Sequence, residues 1–331
     1  MDQESGKIIT ELLTQAQQLI DADKSDDAYK LISSVVSAHP EAVDGRFQAE
    51  LQLIMKNMEY KKALKEFSFL RSMSLVYKYC EVNYQDAGRE LDGYEAGTEL
   101  PEKDVIWCCW LQGAENAPEV VKTCMKSLGK LGRKIVILDE GNIGEYVKLP
   151  GHIEEKYKSG IISRTHYTDL VRLELLTERG GAWIDATTFI SGTDMIKSVL
   201  ETDDLFMYRS GNVSEYIVFD SWFIQAKRKS SILEAAKRML YAYWEKEGEL
   251  KNYFLVHLLL TLACRIYPEE YSRIALFSNE PAHVLQHDMF LHFSEKRWGQ
   301  ILKMSDVHKL TYKYEERDIS GTFLEYVMKQ V

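Results

Sequence analysis

At 331 residues the chain is long enough for two domains and a sizeable core. Its 45% hydrophobic and 28% charged residues exclude disorder as the main state. A formal charge of −10 without a lysine or arginine block excludes a non-specific nucleic-acid binder, because affinity for a phosphate backbone comes from clustered positive charge.

The negative charge is concentrated early: residues 1–100 hold 11 Lys and Arg against 18 Asp and Glu, and the rest is nearly balanced. Five cysteines, Cys80, Cys108, Cys109, Cys124 and Cys264, form no C-x-x-C spacing and read as reduced thiols of a cytoplasm. The opening Met1-Asp2-Gln3-Glu4-Ser5 lacks the basic and apolar regions of a secretory leader. The most apolar run, Phe254 to Cys264, is far shorter than a bilayer span.

All six tryptophans and five of the six prolines lie beyond residue 100, which places a boundary near Pro101. Before it, Ile8-Ile9, Leu12-Leu13, Ala16 and Leu19-Ile20 recur at helical spacing, and a second helix runs from Asp26 to a stop at His39-Pro40. Ala28 and Ile32 recur 35 residues later as Ala63 and Phe67, with turn-like clusters before each at 23–27 and 57–59. That offset resembles a tetratricopeptide hairpin repeated about one and a half times; the alternative is a plain helical bundle. Residues 1–75 are thus read as an α-helical appendage that docks a protein partner, forms a dimer or covers a face of the second domain. Residues 76–100 are read as a linker.

From Lys103 the pattern becomes strand, helix, strand: Val105 to Leu111, Pro118 to Leu128, then Lys134 to Leu138 closed by Asp139-Glu140-Gly141-Asn142. This predicts an α/β domain over 101–331 with a mostly parallel sheet and ligands at the carboxyl ends of its strands. Further on, Thr165 caps a helix through Leu176, Gly180 fits its end, and Ala182 to Ile184 fits a buried strand that delivers Asp185. Asp169 and Arg172 lie one turn apart on a nearly all-apolar helix, where charges are costly unless paired or used on a ligand. A simple ion pair at the helix start accounts for those two as well. Asp185 likewise has a plain reading as a corner carboxylate.

The run from His166 to Thr187, with Asp169, Arg172, Gly180-Gly181 and Asp185, resembles the central segment of the DXD-containing sugar transferases of glycosyltransferase family 32, most closely their capsular polysaccharide branch. The clostridial glucosylating toxins have a similar segment. Weaker matches extend the resemblance over 101–315: Val105 to Gly113, Asn116-Ala117-Pro118, Trp222-Phe223-Ile224, Tyr253 to His257, and His308 to Lys313.

The resemblance implies a GT-A fold, Rossmann-like, that holds a nucleotide-sugar donor and a divalent cation, Mn²⁺ or Mg²⁺, which neutralises the diphosphate leaving group. Asp185 would organise donor and metal, Asp169 would accept from donor hydroxyls, and Arg172 would reach sugar or diphosphate. Trp110 would stack on the nucleobase, or is a core aromatic. The DXD motif reads Asp185-Ala186-Thr187, so a hydroxyl stands in for the second carboxylate, a weaker ligand for a hard cation. His308 is a candidate third ligand, or a loop histidine, and Lys309 or Lys313 would lie near the diphosphate. Tyr253 and His257, four apart on an apolar helix, are expected in the core; Ser221 stands where relatives often have Asn.

No P-loop, G-x-G-x-x-G, H-E-x-x-H, G-x-S-x-G or EF-hand pattern occurs. The resemblance therefore implies a metal-dependent, retaining glycosyltransferase that uses a UDP-sugar in preference to a GDP-sugar. Its acceptor would be a glycan or lipid-linked oligosaccharide, met at the inner face of the cell membrane by a cytoplasmic, peripheral enzyme. The alternative is a degenerate transferase fold acting as a scaffold through its helices; a secreted toxin-like enzyme would need a leader.

Overall fold

The structure, a computed structural model, describes residues 3–38, 48–211 and 215–330. It divides into two compact units, Met1–Ser72 and Met73–Val331.

The first unit holds α1 (Gln3–Asp21), α2 (Ser25–Ala38) and the first part of α3 (Gln48–Arg89). Asp23 adopts a left-handed φ of 66° between α1 and α2, so the acidic cluster does form the turn of a helical hairpin. Ile9, Leu13, Ala16 and Ile20 face Ala28, Ile32 and Val35, and Leu51 and Ile54 of α3 close the cluster. The three-to-four spacing thus becomes one buried stripe per helix. The expected stop at His39-Pro40 lies outside the described residues.

The second copy of the proposed repeat does not fold as a hairpin. Residues 57–59, expected to turn, lie inside α3, which runs unbroken for 42 residues. Ala28 and Ile32 are buried whereas Ala63 is exposed and Phe67 is 62% exposed. Equal spacing in sequence therefore does not carry equal burial, and the tetratricopeptide reading falls with it.

The linker expected over 76–100 is helix as far as Arg89. Val76, Tyr77, Cys80 and Tyr84 sit at helical spacing and are buried in the second unit's own core. The stretch beyond is tied down too: Leu100 N–H donates to the Lys227 carbonyl and Lys229 N–H to the Thr98 carbonyl.

The second unit carries β1 (Ile106–Cys109), β2 (Ile135–Leu138), β3 (Gly181–Ile184), β4 (Thr188–Ile190), β5 (Leu205–Arg209), β6 (Phe219–Ala226) and β7 (Val307–Lys309). Five strands form one sheet in the order β2-β1-β3-β6-β5. β1 is parallel to β2 and β3, while β6 is antiparallel to β3 and β5, so the sheet is mixed. The reversal follows from chain length: the connection from Arg209 to Phe219 is shorter than the crossover a parallel neighbour requires.

Side chains alternate across this sheet into two cores. Trp107, Cys109, Trp183 and Ile224 face the helices Arg164–Glu178, Ser231–Lys246 and Leu255–Ile266. Ile106, Cys108, Ala182, Ile184 and Phe223 face α4 (Glu119–Ser127) and the helix Ile196–Thr202. The result is a three-layer α/β domain. Beside it β4 and β7 make a two-stranded antiparallel sheet that pairs Thr188 with Lys309 and Phe189 with His308. Among the described residues no helix is long and apolar enough to cross a membrane.

Candidate functional site

The helix Arg164–Glu178 starts at Ser163, whose hydroxyl accepts from the His166 amide at 3.3 Å; the cap lies two residues before the expected Thr165. Its end is set by Gly180, at φ 79°, whose amide reaches back to the Leu175 carbonyl. Gly181, at φ 97°, then starts β3 where a Cβ would strike the Val105 carbonyl and the Trp107 indole nitrogen. The glycine pair thus lets a buried helix turn at once into a central strand. Four residues on, that strand delivers Asp185 to its carboxyl end, with the Asp185 amide held by the Trp222 carbonyl.

His166, Asp169 and Arg172 recur every three residues along one helix face, and they begin a chain of contacts that ends at Thr187. Trp244 Nε1–H donates to His166 Nε2 at 2.9 Å, which leaves the proton on Nδ1, 3.4 Å from Asp169 Oδ2. Asp169 Oδ1 accepts from Arg172 Nη1 at 2.9 Å, and Arg172 Nη2 donates to Asp185 Oδ1 at 3.0 Å. The same oxygen accepts from Trp183 Nε1–H at 2.9 Å, and the Arg172 guanidinium lies over the Trp183 ring. Asp185 Oδ2 accepts from Lys309 Nζ at 2.7 Å, and that ammonium also donates to Thr187 Oγ1 at 2.7 Å.

Burial alone would raise the Asp185 pKa, but the Lys309 and Arg172 cations outweigh it and hold the carboxyl below its ordinary value. Asp185 therefore stays ionised between two cations.

This network opens on a cavity of about 380 Å³ at the carboxyl ends of β1 and β3. Among the described residues four cations line it, Arg164, Arg172, Lys309 and Lys313, against the single carboxylate of Asp185. Arg164 is paired with Glu140 outside. A positive cavity on a chain of charge −10 is a local device for an anionic ligand. A larger cleft of about 840 Å³ lies around Arg228, Ser231 and Glu270. The smaller cavity is the candidate because the buried charge network and the parallel strand ends converge on it.

Five of the expected donor-site residues, Trp110, Arg172, Asp185, Lys309 and Lys313, line the cavity together with Thr187. Trp110 is half-buried: it packs against the core behind it and meets Tyr312 edge-on at 5.2 Å at the cavity wall, and its buried indole N–H has no hydrogen-bond partner among the described residues. Asp169 stands behind Arg172, 8% exposed and off the cavity wall, with both oxygens facing Arg172 and His166. In this geometry its carboxylate is engaged by the guanidinium and the imidazole. Tyr253, expected in the core, is 60% exposed and lines the cavity just before its helix begins. His257 is partly buried, with Nε2 3.2 Å from Ser221 Oγ.

His308 does not join Asp185 and Thr187. Successive residues of β7 point to opposite faces, so with Lys309 turned to Asp185, His308 turns away. It is fully buried, its Nε2 lies 2.8 Å from Ser191 Oγ, and Phe189 and Trp298 flank it. Burial, reinforced by the Lys130 ammonium, depresses its pKa from 6.5 to about 3. The unfolded chain then takes a proton that the folded one refuses, so stability is lost as pH falls from 6.5 toward 3. Between pH 7 and pH 5 this one group lowers stability by about 2 kcal/mol. Urea unfolding at both pH values checks it: His308→Gln shows a correspondingly smaller acid loss than the natural protein.

Several site residues escaped the sequence reading. Trp183 lies two before Asp185 on one strand, so strand parity alone puts both on the same face. Tyr312 sits within the His308 to Lys313 segment, and its ring packs on Trp110. His283 and Gln286 line the cavity from the helix Glu280–Asp288 and carry no sequence signal that marks them.

The family model described as "Capsular polysaccharide synthesis protein" matches residues 56–327. That interval reaches back into α3, well before the 101–315 over which motifs were recognised. The chain is also similar to the O-glycosyltransferase PaGT of Phomopsis amygdali, 25% identical over 181 residues. Those residues are 46% of this chain and 43% of that protein, so the match spans less than half of the relative's length.

Proposed function

Because the chain belongs to the capsular polysaccharide synthesis protein family, we propose that it is a glycosyltransferase that moves a sugar from a nucleoside-diphosphate sugar to a cell-surface glycan precursor. The observation that carries this is the positive cavity at the strand ends, in which Arg172 and Lys309 converge on Asp185 and the half-buried Trp110 lines the same wall as Tyr312. The parallel strands β1, β2 and β3 with a reversed β6 support a GT-A architecture. Similarity to an O-glycosyltransferase supports the same reaction class.

In this reading the diphosphate lies against Arg172, Lys309 and Lys313, and the base packs against Trp110 where that residue lines the cavity. As the bond from the sugar's anomeric carbon to the diphosphate oxygen breaks, its electron pair stays on that oxygen. Fixed cations stabilise the developing charge. The acceptor hydroxyl forms the new bond on the same face, and its proton passes to the departing phosphate, which retains the anomeric configuration and requires no protein base. A lipid-linked oligosaccharide at the inner membrane face is the proposed acceptor, and UDP-sugars are the first donors to try.

Titration of intrinsic tryptophan fluorescence with UDP and GDP, followed by nucleotide release from the matching sugars, tests the reading. One nucleotide binds, and Trp110→Ala weakens it about tenfold or more, the value of one base–aromatic stack. A folded protein that binds no nucleoside diphosphate overturns it.

A further inference from the structure

Resting on that reading, we propose that the Lys309 ammonium occupies the place of the divalent cation, so that the transferase is independent of Mn²⁺ and Mg²⁺. In the expected arrangement, the two oxygen ligands of the DXD segment hold a metal between them. Here those two groups, Asp185 Oδ2 and Thr187 Oγ1, each lie 2.7 Å from the same nitrogen.

Three observations show that this lysine is built in. Its backbone is fixed by the pairing of β7 with β4, which sets Lys309 opposite Thr188, and the Leu310 amide donates to the Thr187 carbonyl. Its stem is packed, with the side chain only 18% exposed and the ammonium beside the Trp222 ring. And its donors are divided: an ammonium has three N–H groups, of which Asp185 and Thr187 take two. The third opens on the cavity, where Lys309 forms part of the wall.

The donor set suits an ammonium better than a metal. Thr187 offers a neutral hydroxyl, which a hard cation binds more weakly than a carboxylate. Asp185 already faces two cations, and a divalent ion on Oδ2 would lie within a few ångströms of the ammonium without a carboxylate left to screen the repulsion. His308 is on the opposite face of β7 and adds no ligand. Among the described residues no group of three or more His, Cys, Asp or Glu side chains is arranged to hold a metal ion. Lys309, with Arg172 across the carboxylate, therefore supplies the positive charge that meets the diphosphate as its bond to the sugar breaks.

The test compares nucleotide release from the accepted UDP- or GDP-sugar in EDTA and in Mn²⁺, with Mn²⁺ electron paramagnetic resonance in the presence of UDP or GDP as a readout independent of turnover. The natural protein is expected to release nucleotide at the same rate in both media and to leave Mn²⁺ free in solution. Lys309→Met, which keeps the stem and removes the charge, is expected to lower release by about a hundredfold or more, as loss of one fixed transition-state donor does. Lys309→Arg, which keeps the charge, should restore a large part. Loss of activity in EDTA that Mn²⁺ restores, with one bound Mn²⁺ per chain, overturns the inference and leaves the transferase standing. Equal rates in both media with Lys309→Met fully active overturn it too. Failure of every nucleoside diphosphate to bind removes the proposed function itself, and the inference with it.

Discussion

Asp185→Asn is expected to lower nucleotide release about a thousandfold while the protein stays folded. Asparagine has the same shape, so the cavity is not reshaped; what changes is the pattern of donors. Asp185 Oδ1 accepts from Arg172 and Trp183, and Oδ2 accepts from Lys309. An amide offers one acceptor and one NH₂, so at least one of these donors must then face another donor. If the amide nitrogen turns to Lys309, the ammonium loses its counter-charge and swings from Thr187; if it turns to Arg172, the guanidinium loses its anchor in front of Asp169. Either way one of the two cations that meet the diphosphate is displaced, and a displacement of an ångström suffices to forfeit orders of magnitude in rate. The cost to stability is smaller, about 1–3 kcal/mol, because the carboxylate is 28% exposed and water replaces part of what is lost. Steady-state release together with a urea midpoint separates the two effects; activity and stability falling in proportion would sink the assignment of Asp185 to the reaction.

The central segment was legible because everything that shapes it is local. A cap, an apolar helix, a glycine pair and a short strand follow one another from Ser163 to Asp185, and each is written in adjacent residues. What depends on pairing between distant segments was not. That β6 runs against β3 is set by how the chain returns from β5, and that His308 and Lys309 take opposite faces is set by their register with β4. A histidine and a lysine side by side in sequence both suggested chemistry, and only the register shows that one of them faces the cavity. The 35-residue offset misled for the opposite reason: apolar spacing recurs in any amphipathic helix, so Ala63 and Phe67 imitate Ala28 and Ile32 while being exposed. The linker reading rested on composition, whereas Tyr77, Cys80 and Tyr84 already carried the helical period that buries them.

The second large effect falls on folding and reaches the site through it. Gly181→Ala is expected to destabilise the second unit by about 3 kcal/mol or more, read as a fall of roughly 10 °C in Tm. Two penalties add. The backbone stands at φ 97°, where side chains other than glycine are strained. The new Cβ would also meet the Val105 carbonyl, the Trp107 Nε1 at 2.8 Å and the Glu102 carbonyl at 3.0 Å, two of them backbone atoms of the segment entering β1. Trp107 cannot swing aside cheaply, since its indole N–H donates to the Gly180 carbonyl at 2.7 Å and its ring is wholly buried. The strand must therefore shift away from β1, and it carries Trp183 and Asp185 with it. Nucleotide affinity should fall in the folded fraction as well, by an amount that added osmolyte, which restores folding, does not recover. Gly132→Ala is the control: it too has a positive φ, at 65°, but its Cβ would meet nothing within 4 Å and it lies far along the chain from Asp185. It should cost only about 1 kcal/mol and leave nucleotide affinity unchanged. Equal losses of affinity in the two variants would show that Gly181 does not act through the placement of Asp185.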